Sequence, residues 1–221
     1  MKKLINLFVC LLPWKIKRWV LVRFYGYDLH PTAWIGLAYA FPDKLIMGPG
    51  ARIGPLTVAL YLHEIRLEEH AYICRLNWIT GHPVKGNRHY RWQRDRQPVL
   101  HVKRHASITN RHLIDCSNRV EIGEFTTFAG FRSQILTHSI NLERGRQETA
   151  PVIIGRYCFI GTGCIILPGA ILPDYSVLGA GAVLNRAHTE THMLYAGQPA
   201  MPRKALPPDA AYFKRKEGFV E

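Results

Sequence analysis

Two histidines stand where an apolar segment opens into a long polar one: His82 in "WITGHP" and His138 in "ILTHS". An imidazole titrates near pH 6.5, so much of it is neutral at cellular pH and able to take a proton from a hydroxyl. The chain holds eleven histidines, and an ordinary polar residue at a loop edge is the alternative for either one. The stretch after His82, "TGHPVKGNRHYRWQRDRQPVLH", interleaves Lys85, Arg88, Arg91, Arg94 and Arg96 with Tyr90 and Trp92. Guanidinium forks beside aromatic rings suit an anionic sugar, including a diphosphate-linked one; a solvated basic loop is the duller explanation. His101 with His105 and His188 with His192 are four residues apart and would share a strand face. Neither pair has the partners of a zinc site, so no metal is expected.

The elements that must position these residues follow a count of six. Ile154, Ile160, Ile166, Leu172, Leu178 and Leu184 recur at every sixth place, with Gly155, Gly161 and Gly179 next to three of them. A step of six turns an α-helix through about 600° and scatters the side chains, whereas six is a multiple of the strand pleat. With glycine and Pro-Gly pairs at the bends, the pattern is that of a parallel β-helix whose stacked coils bury the recurring aliphatic residue. The phase reappears upstream at Leu29, Ile35, Phe41, Met47, Ile53 and Ala59, then at Leu67, Ile73 and Ile79, at Val102, Ile108 and Ile114, and at Ile122 and Phe128. It misses at Gln134. About seven coils between residues 28 and 190 result, interrupted at 80–101 and 137–151. Insertions leave a solenoid as surface loops, and function is sought there. Residues 1–27 precede the solenoid, and 191–221 are read as a tail.

Composition narrows the class. At 221 residues, 48% of them hydrophobic, one core is amply supplied. The formal charge of +13 favours anionic partners, yet no zinc-finger spacing, aromatic RNA-binding signature or basic heptad helix appears, so nucleic acid is not among them. Five cysteines without a CxxC pair point to free thiols, with Cys158 and Cys164 on the inward phase, and to a reducing cytoplasm. The opening segment "MKKLINLFVCLLPWKIKRWVLVRFY" lacks a small-residue cleavage site and is too interrupted to span a bilayer. A helix lying on the inner membrane surface, or a cap packed on the solenoid or a sister subunit, accounts for it.

The segments "RVEIGEFTTFAGFRSQILTHS", "APVIIGRYCFIGTGCIILPGAILPDYSVLGAGAVL" and "YAGQPAMPRKAL" resemble, in this order, the hexapeptide-repeat acyltransferases, and among them the sugar O-acetyltransferases of the maltose, galactoside and colanic-acid type. The resemblance covers residues 102 to 206 well and the earlier repeats more loosely. It implies an all-β, left-handed parallel β-helix and a homotrimer with acetyl-CoA lying between subunits as cosubstrate. His138 matches the catalytic histidine. Asn110 in "SITNRHLIDC" stands within a residue of an acceptor-binding asparagine, a turn-capping asparagine being the alternative. His82, Arg88 and Trp92 would shape the acceptor pocket. Gly161, Ala180 and Gly197 would admit pantetheine, and Arg203 and Lys204 would pair with its phosphates. The sequence "NRAHTETHMLY" departs from the Lys-Asp and proline usual in relatives, which bears on the coenzyme contacts. The expected activity is acetyl transfer to a sugar hydroxyl in the synthesis of a surface polysaccharide or lipid-linked glycan. N-acetylation of an amino sugar, or a non-catalytic glycan-binding scaffold at the membrane surface, are the alternatives. Another class of this architecture, the gamma-type carbonic anhydrase, needs two metal-binding histidines five residues apart, and no pair here has that spacing.

Overall fold

A computed structural model describes residues 2–84 and 88–220. The hexads form short strands that fall in turn on three sheets of seven, nine and seven strands, all parallel but for the last strand of the second. Each strand pairs in register with its equivalent one coil later, as Leu100 with Val120 on the first sheet, Ile108 with Phe128 on the second and Ile114 with Ile135 on the third. Stacking therefore superposes like positions, and the inward aliphatic residues make one continuous apolar column from Leu29 to Leu184.

The phase holds except at two places. Phe41 is only half-buried and packs on the core from outside, while Ala40 points inward; the step from Ile35 is one residue short, and the step on to Met47 is one longer. Gln134 is followed by the inward Ile135, fully buried, because the turn through Gly130 to Arg132 holds one residue more. Both slips occur in turns, where a residue can be gained or lost without changing strand pairing.

The bends differ in how they are stabilised. At the corner between the first and second sheets, His70, His105, Phe125, Tyr157, Tyr175 and His192 all adopt left-handed φ values of 53° to 57°. Their rings stack coil upon coil with centroids 4.7 to 5.4 Å apart, and this packing offsets a conformation that side chains avoid. At the corner between the second and third sheets, close coil approach requires glycine. A Cβ on Gly161 would lie 2.6 Å from the amide nitrogen of Ala180 in the next coil.

Two helices cap the open N-terminal end: α1, Lys2–Leu11, and α2, Trp14–Tyr25, where a single helix is expected from the sequence. Pro13 separates them, lacking the N–H a continuous helix needs. Val9 and Leu21 enter the core, and the buried Lys17 ammonium donates to the Gly36 carbonyl at 2.7 Å. At the other end Met193–Ala196 adds a further parallel strand beside Val177–Leu178, and Met201–Ala205 folds back on it antiparallel. The chain then runs back along the second face, held by Tyr212 to the Cys158 carbonyl and by Tyr157 to the Arg215 carbonyl.

Candidate active site

The strands Trp78–Thr80, Leu113–Asp115 and Gln134–Ile135 lie on successive coils of the third sheet. Each ends at the same corner, which stacks the residues next in the chain: His82, then Asp115 to Asn118, then Thr137 and His138. Both interruptions of the repeat begin here. The second is a β-hairpin pairing His138–Asn141 with Arg146–Thr149. The first is docked on it by Gln93, whose side-chain amide exchanges hydrogen bonds with both backbone groups of Thr149.

Nδ1 of His138 lies 2.8 Å from Oδ2 of Asp115. The Asp115 side chain is nine-tenths buried, and burial alone would raise its pKa. His138, Ser117 and Thr137 outweigh that effect by hydrogen bonding to the charged form, and they hold it at about 2. A carboxylate only accepts, so Nδ1 carries the proton and Nε2 keeps its lone pair. The same hydrogen bond raises the pKa of His138 against partial desolvation. His82, across a ring-to-ring gap of 6.2 Å, is shifted downward by burial, with the neighbouring His138 adding to the shift. Two imidazoles side by side thus have affinities for the proton pushed apart.

Asp115 is the residue that the sequence patterning misses. On the third sheet the place after the inward residue holds Leu60, Thr80, Leu136, Leu167 and Asn185 in other coils, none of them charged; after Ile114 it holds Asp. That substitution is the available signal. Pairing Asp115 with His138 on the next coil requires the phase slip at Ile135, which a strict count of six does not contain.

Of the basic cluster after His82, Arg96 is corrected from ligand to scaffold. It is buried, and its guanidinium donates to the carbonyls of His82, Ser117 and Pro83 beneath the Tyr90 ring. Tyr90, also buried, meets both His82 and His138 edge-on. Arg94 lies apart, on a separate cavity of about 810 Å³. That cavity sits along the charged first face and includes neither member of the dyad. Arg88, Arg91 and Trp92 do converge with Arg146 of the hairpin around a shallow cavity of about 420 Å³, Arg91 stacking 4.4 Å over the indole. Lys85 lies outside the described residues.

Asn110 is on another corner, between the second and third sheets, where its Oδ1 accepts the Arg75 N–H at 3.2 Å; the single chain does not bring it to His138. Gly161, Ala180 and Gly197 stack on that same corner. Arg203 is exposed and donates to the Ala196 carbonyl at 3.1 Å beside Gly197, with Lys204 exposed next to it. His105 and His192 belong to the stacked ladder, and His101 is paired with Glu68 at 2.6 Å. Among the described residues no three His, Cys, Asp or Glu side chains are grouped to hold a metal ion.

Fold and corner together define a parallel β-helix of hexapeptide repeats carrying a histidine–carboxylate dyad. Residues 151–186 match the model of the bacterial transferase hexapeptide (six repeats) family. No curated protein is significantly similar to the chain in sequence. Among solved structures, the polysialic acid O-acetyltransferase OatWY is similar over 81% of this chain and 84% of its own, with 17% identity and a TM-score of 0.58. A variant of AntD, an N-acyltransferase from Bacillus cereus in complex with dTDP-4-amino-4,6-dideoxyglucose and coenzyme A, is similar over 73% of this chain and 83% of its own, with 13% identity and a TM-score of 0.52. At these identities the likeness is one of fold, the left-handed parallel β-helix.

Proposed function

We propose that the protein is an acetyl-CoA-dependent O-acetyltransferase acting on a sugar hydroxyl. The observation that carries this is the dyad: Asp115 holds Nδ1 of His138, and Nε2 is left as the base. Nε2 takes the proton of the acceptor hydroxyl as its oxygen attacks the thioester carbonyl. The imidazolium then returns that proton to the leaving thiolate, so ester and free CoA form with the histidine restored. Charge on the carbonyl oxygen needs donors, and backbone N–H groups at the turns of a facing coil can supply them. Acceptor chemistry follows the shallow cavity: Arg88, Arg91 and Arg146 beside Trp92 suit a sugar bearing a carboxylate or phosphate. The five free cysteines fit a reducing compartment, the cytoplasm.

The site is completed by other copies of the chain. His138 and the corner of Gly161, Ala180 and Gly197 lie at opposite edges of the third face. That face presents Trp78 and Leu113, each 49% exposed, with Ile165 and Val183 further along. The first face instead carries ion pairs such as Lys44–Glu64 and Lys103–Glu121. Packing the apolar face head-to-tail around a threefold axis sets the histidine edge of one copy against the glycine edge of the next, a ring that closes. Pantetheine would lie in that seam along Gly161, Ala180 and Gly197, with Arg203 and Lys204 toward its phosphates.

Thiol release from acetyl-CoA, assayed over a panel of anionic and neutral sugars, tests the activity. Release that depends on acceptor and falls by about 10² to 10⁴ in His138→Ala, with the assembly intact, is expected. Undiminished release in that variant overturns the role of His138. Release with amino sugars alone would favour the N-acetyltransferase, and no release with any acceptor would favour a glycan-binding scaffold.

A further inference from the structure

The N-terminal helices are apolar on both sides. One side is accounted for by capping: Asn6, Val9 and Cys10 of α1 and Lys17 and Leu21 of α2 are buried against the first coil. The other is not. Leu4, Leu7, Phe8 and Leu11 form an i, i+3, i+4, i+7 stripe along the outer side of α1, each between 53% and 66% exposed. Ile16, Trp19 and Phe24 of α2 are 51% to 67% exposed, the last two in edge contact at 5.4 Å. So large a bare apolar area on one end of a folded chain requires an occupant.

Charge decides which occupant. No Asp or Glu occurs before Asp28, while Lys3, Lys15 and Arg23 are exposed at the margins of the patch. A second copy of the hairpin would bring like charges together and offers no acid to meet them. An anionic lipid surface satisfies both features, taking the apolar stripe below the headgroups and the basic margin among them. Trp19 beside Phe24 is the aromatic content expected at that depth. The helices have 10 and 12 residues, and no helix among the described residues is long and apolar enough to cross a membrane, so each would lie in the plane of the interface. We propose that the α1–α2 hairpin is a membrane-docking element that seats the N-terminal end of the β-helix on anionic phospholipid. This is independent of the acetyl-transfer reaction and of His138.

Flotation of the full chain with phosphatidylcholine vesicles, with and without a phosphatidylglycerol fraction, tests it. Binding to the anionic vesicles about a hundredfold tighter than to the neutral ones, weakening with salt, is expected from three basic side chains near the surface. Leu7→Glu with Phe8→Glu replaces exposed residues only; it should lower vesicle binding at least about tenfold and leave far-UV circular dichroism and sedimentation mass unchanged. Lys15→Gln with Arg23→Gln should lower anionic-vesicle binding while leaving the apolar stripe intact, so the proposal stays testable if the first variant does not fold. Wild-type protein that fails to float with anionic vesicles overturns it. So does a Leu7→Glu, Phe8→Glu variant whose sedimentation mass drops to a fraction of the wild-type value, since the patch would then be covered by another copy.

Discussion

A histidine becomes a directed base only when one of its nitrogens is held. Asp115 does this for His138, and Ser117 and Thr137 keep Asp115 ionised by donating to both of its oxygens. Because the charged Asp115 raises the pKa of His138, the neutral imidazole that the proposed reaction needs accumulates above the ordinary histidine range. The acid limb of kcat/KM should therefore lie above pH 6.5 in the wild-type protein. In Asp115→Asn two changes are expected. The limb moves to lower pH, since the charge that favoured imidazolium is gone, and the plateau falls by about 10² or more as the ring loses its fixed tautomer. A pH–rate profile of both proteins checks this; an unmoved limb would show that Asp115 does not act on His138.

At the level of the coil, a second histidine has the opposite function. His112 is fully buried at the turn between the second and third sheets, its Nδ1 accepting the Ser133 N–H at 3.2 Å and its Nε2 lying 3.0 Å from the Thr109 hydroxyl. Burial pushes its pKa down to about 4, so it is neutral in the folded chain and protonates readily only when unfolded. The stability it contributes is whole above about pH 6.5 and is lost as pH falls through about 4, a change of about 3 kcal/mol. Asp115, held at about 2, extends the loss further into acid. Thermal midpoints measured from pH 7 to pH 4 should fall steeply for the wild-type chain. In His112→Gln, which keeps an acceptor for Ser133 without titrating, the fall should be smaller by the same amount.

Across the whole molecule the three faces of the prism are unlike. The first is laced with ion pairs, the second is partly covered by the returning C-terminal segment, and the third is bare and apolar. Trp78→Glu with Leu113→Glu places charge on that third face, outside the core column. The expected outcome is a folded monomer by sedimentation whose acetyl transfer is lost although His138 and Asp115 are unaltered. A monomeric variant of full activity would mean that one chain suffices. With parallel axes, an assembly of three would carry its helical hairpins at one end, presenting all of the exposed stripes to a single surface.

The order of coils was legible in the residues alone. Isoleucine, valine and leucine at every sixth place can be buried only by stacking, and Pro13 and the glycines mark where the chain must bend. The two insertions could also be located, because they interrupt that period. Convergence across coils was not legible. Asp115 and His138 are 23 residues apart and meet only because a turn between them holds one extra residue, which moves Ile135 rather than Gln134 inward. Arg96 reads as one more cation of a basic loop, yet the folded chain surrounds it with carbonyls and leaves Arg88 and Arg91 to face solvent with Trp92. Periodicity along a chain is a one-dimensional property and survives in the sequence. Which side chains share a corner depends on the sum of every insertion below them, and that sum is settled only when the coils stack.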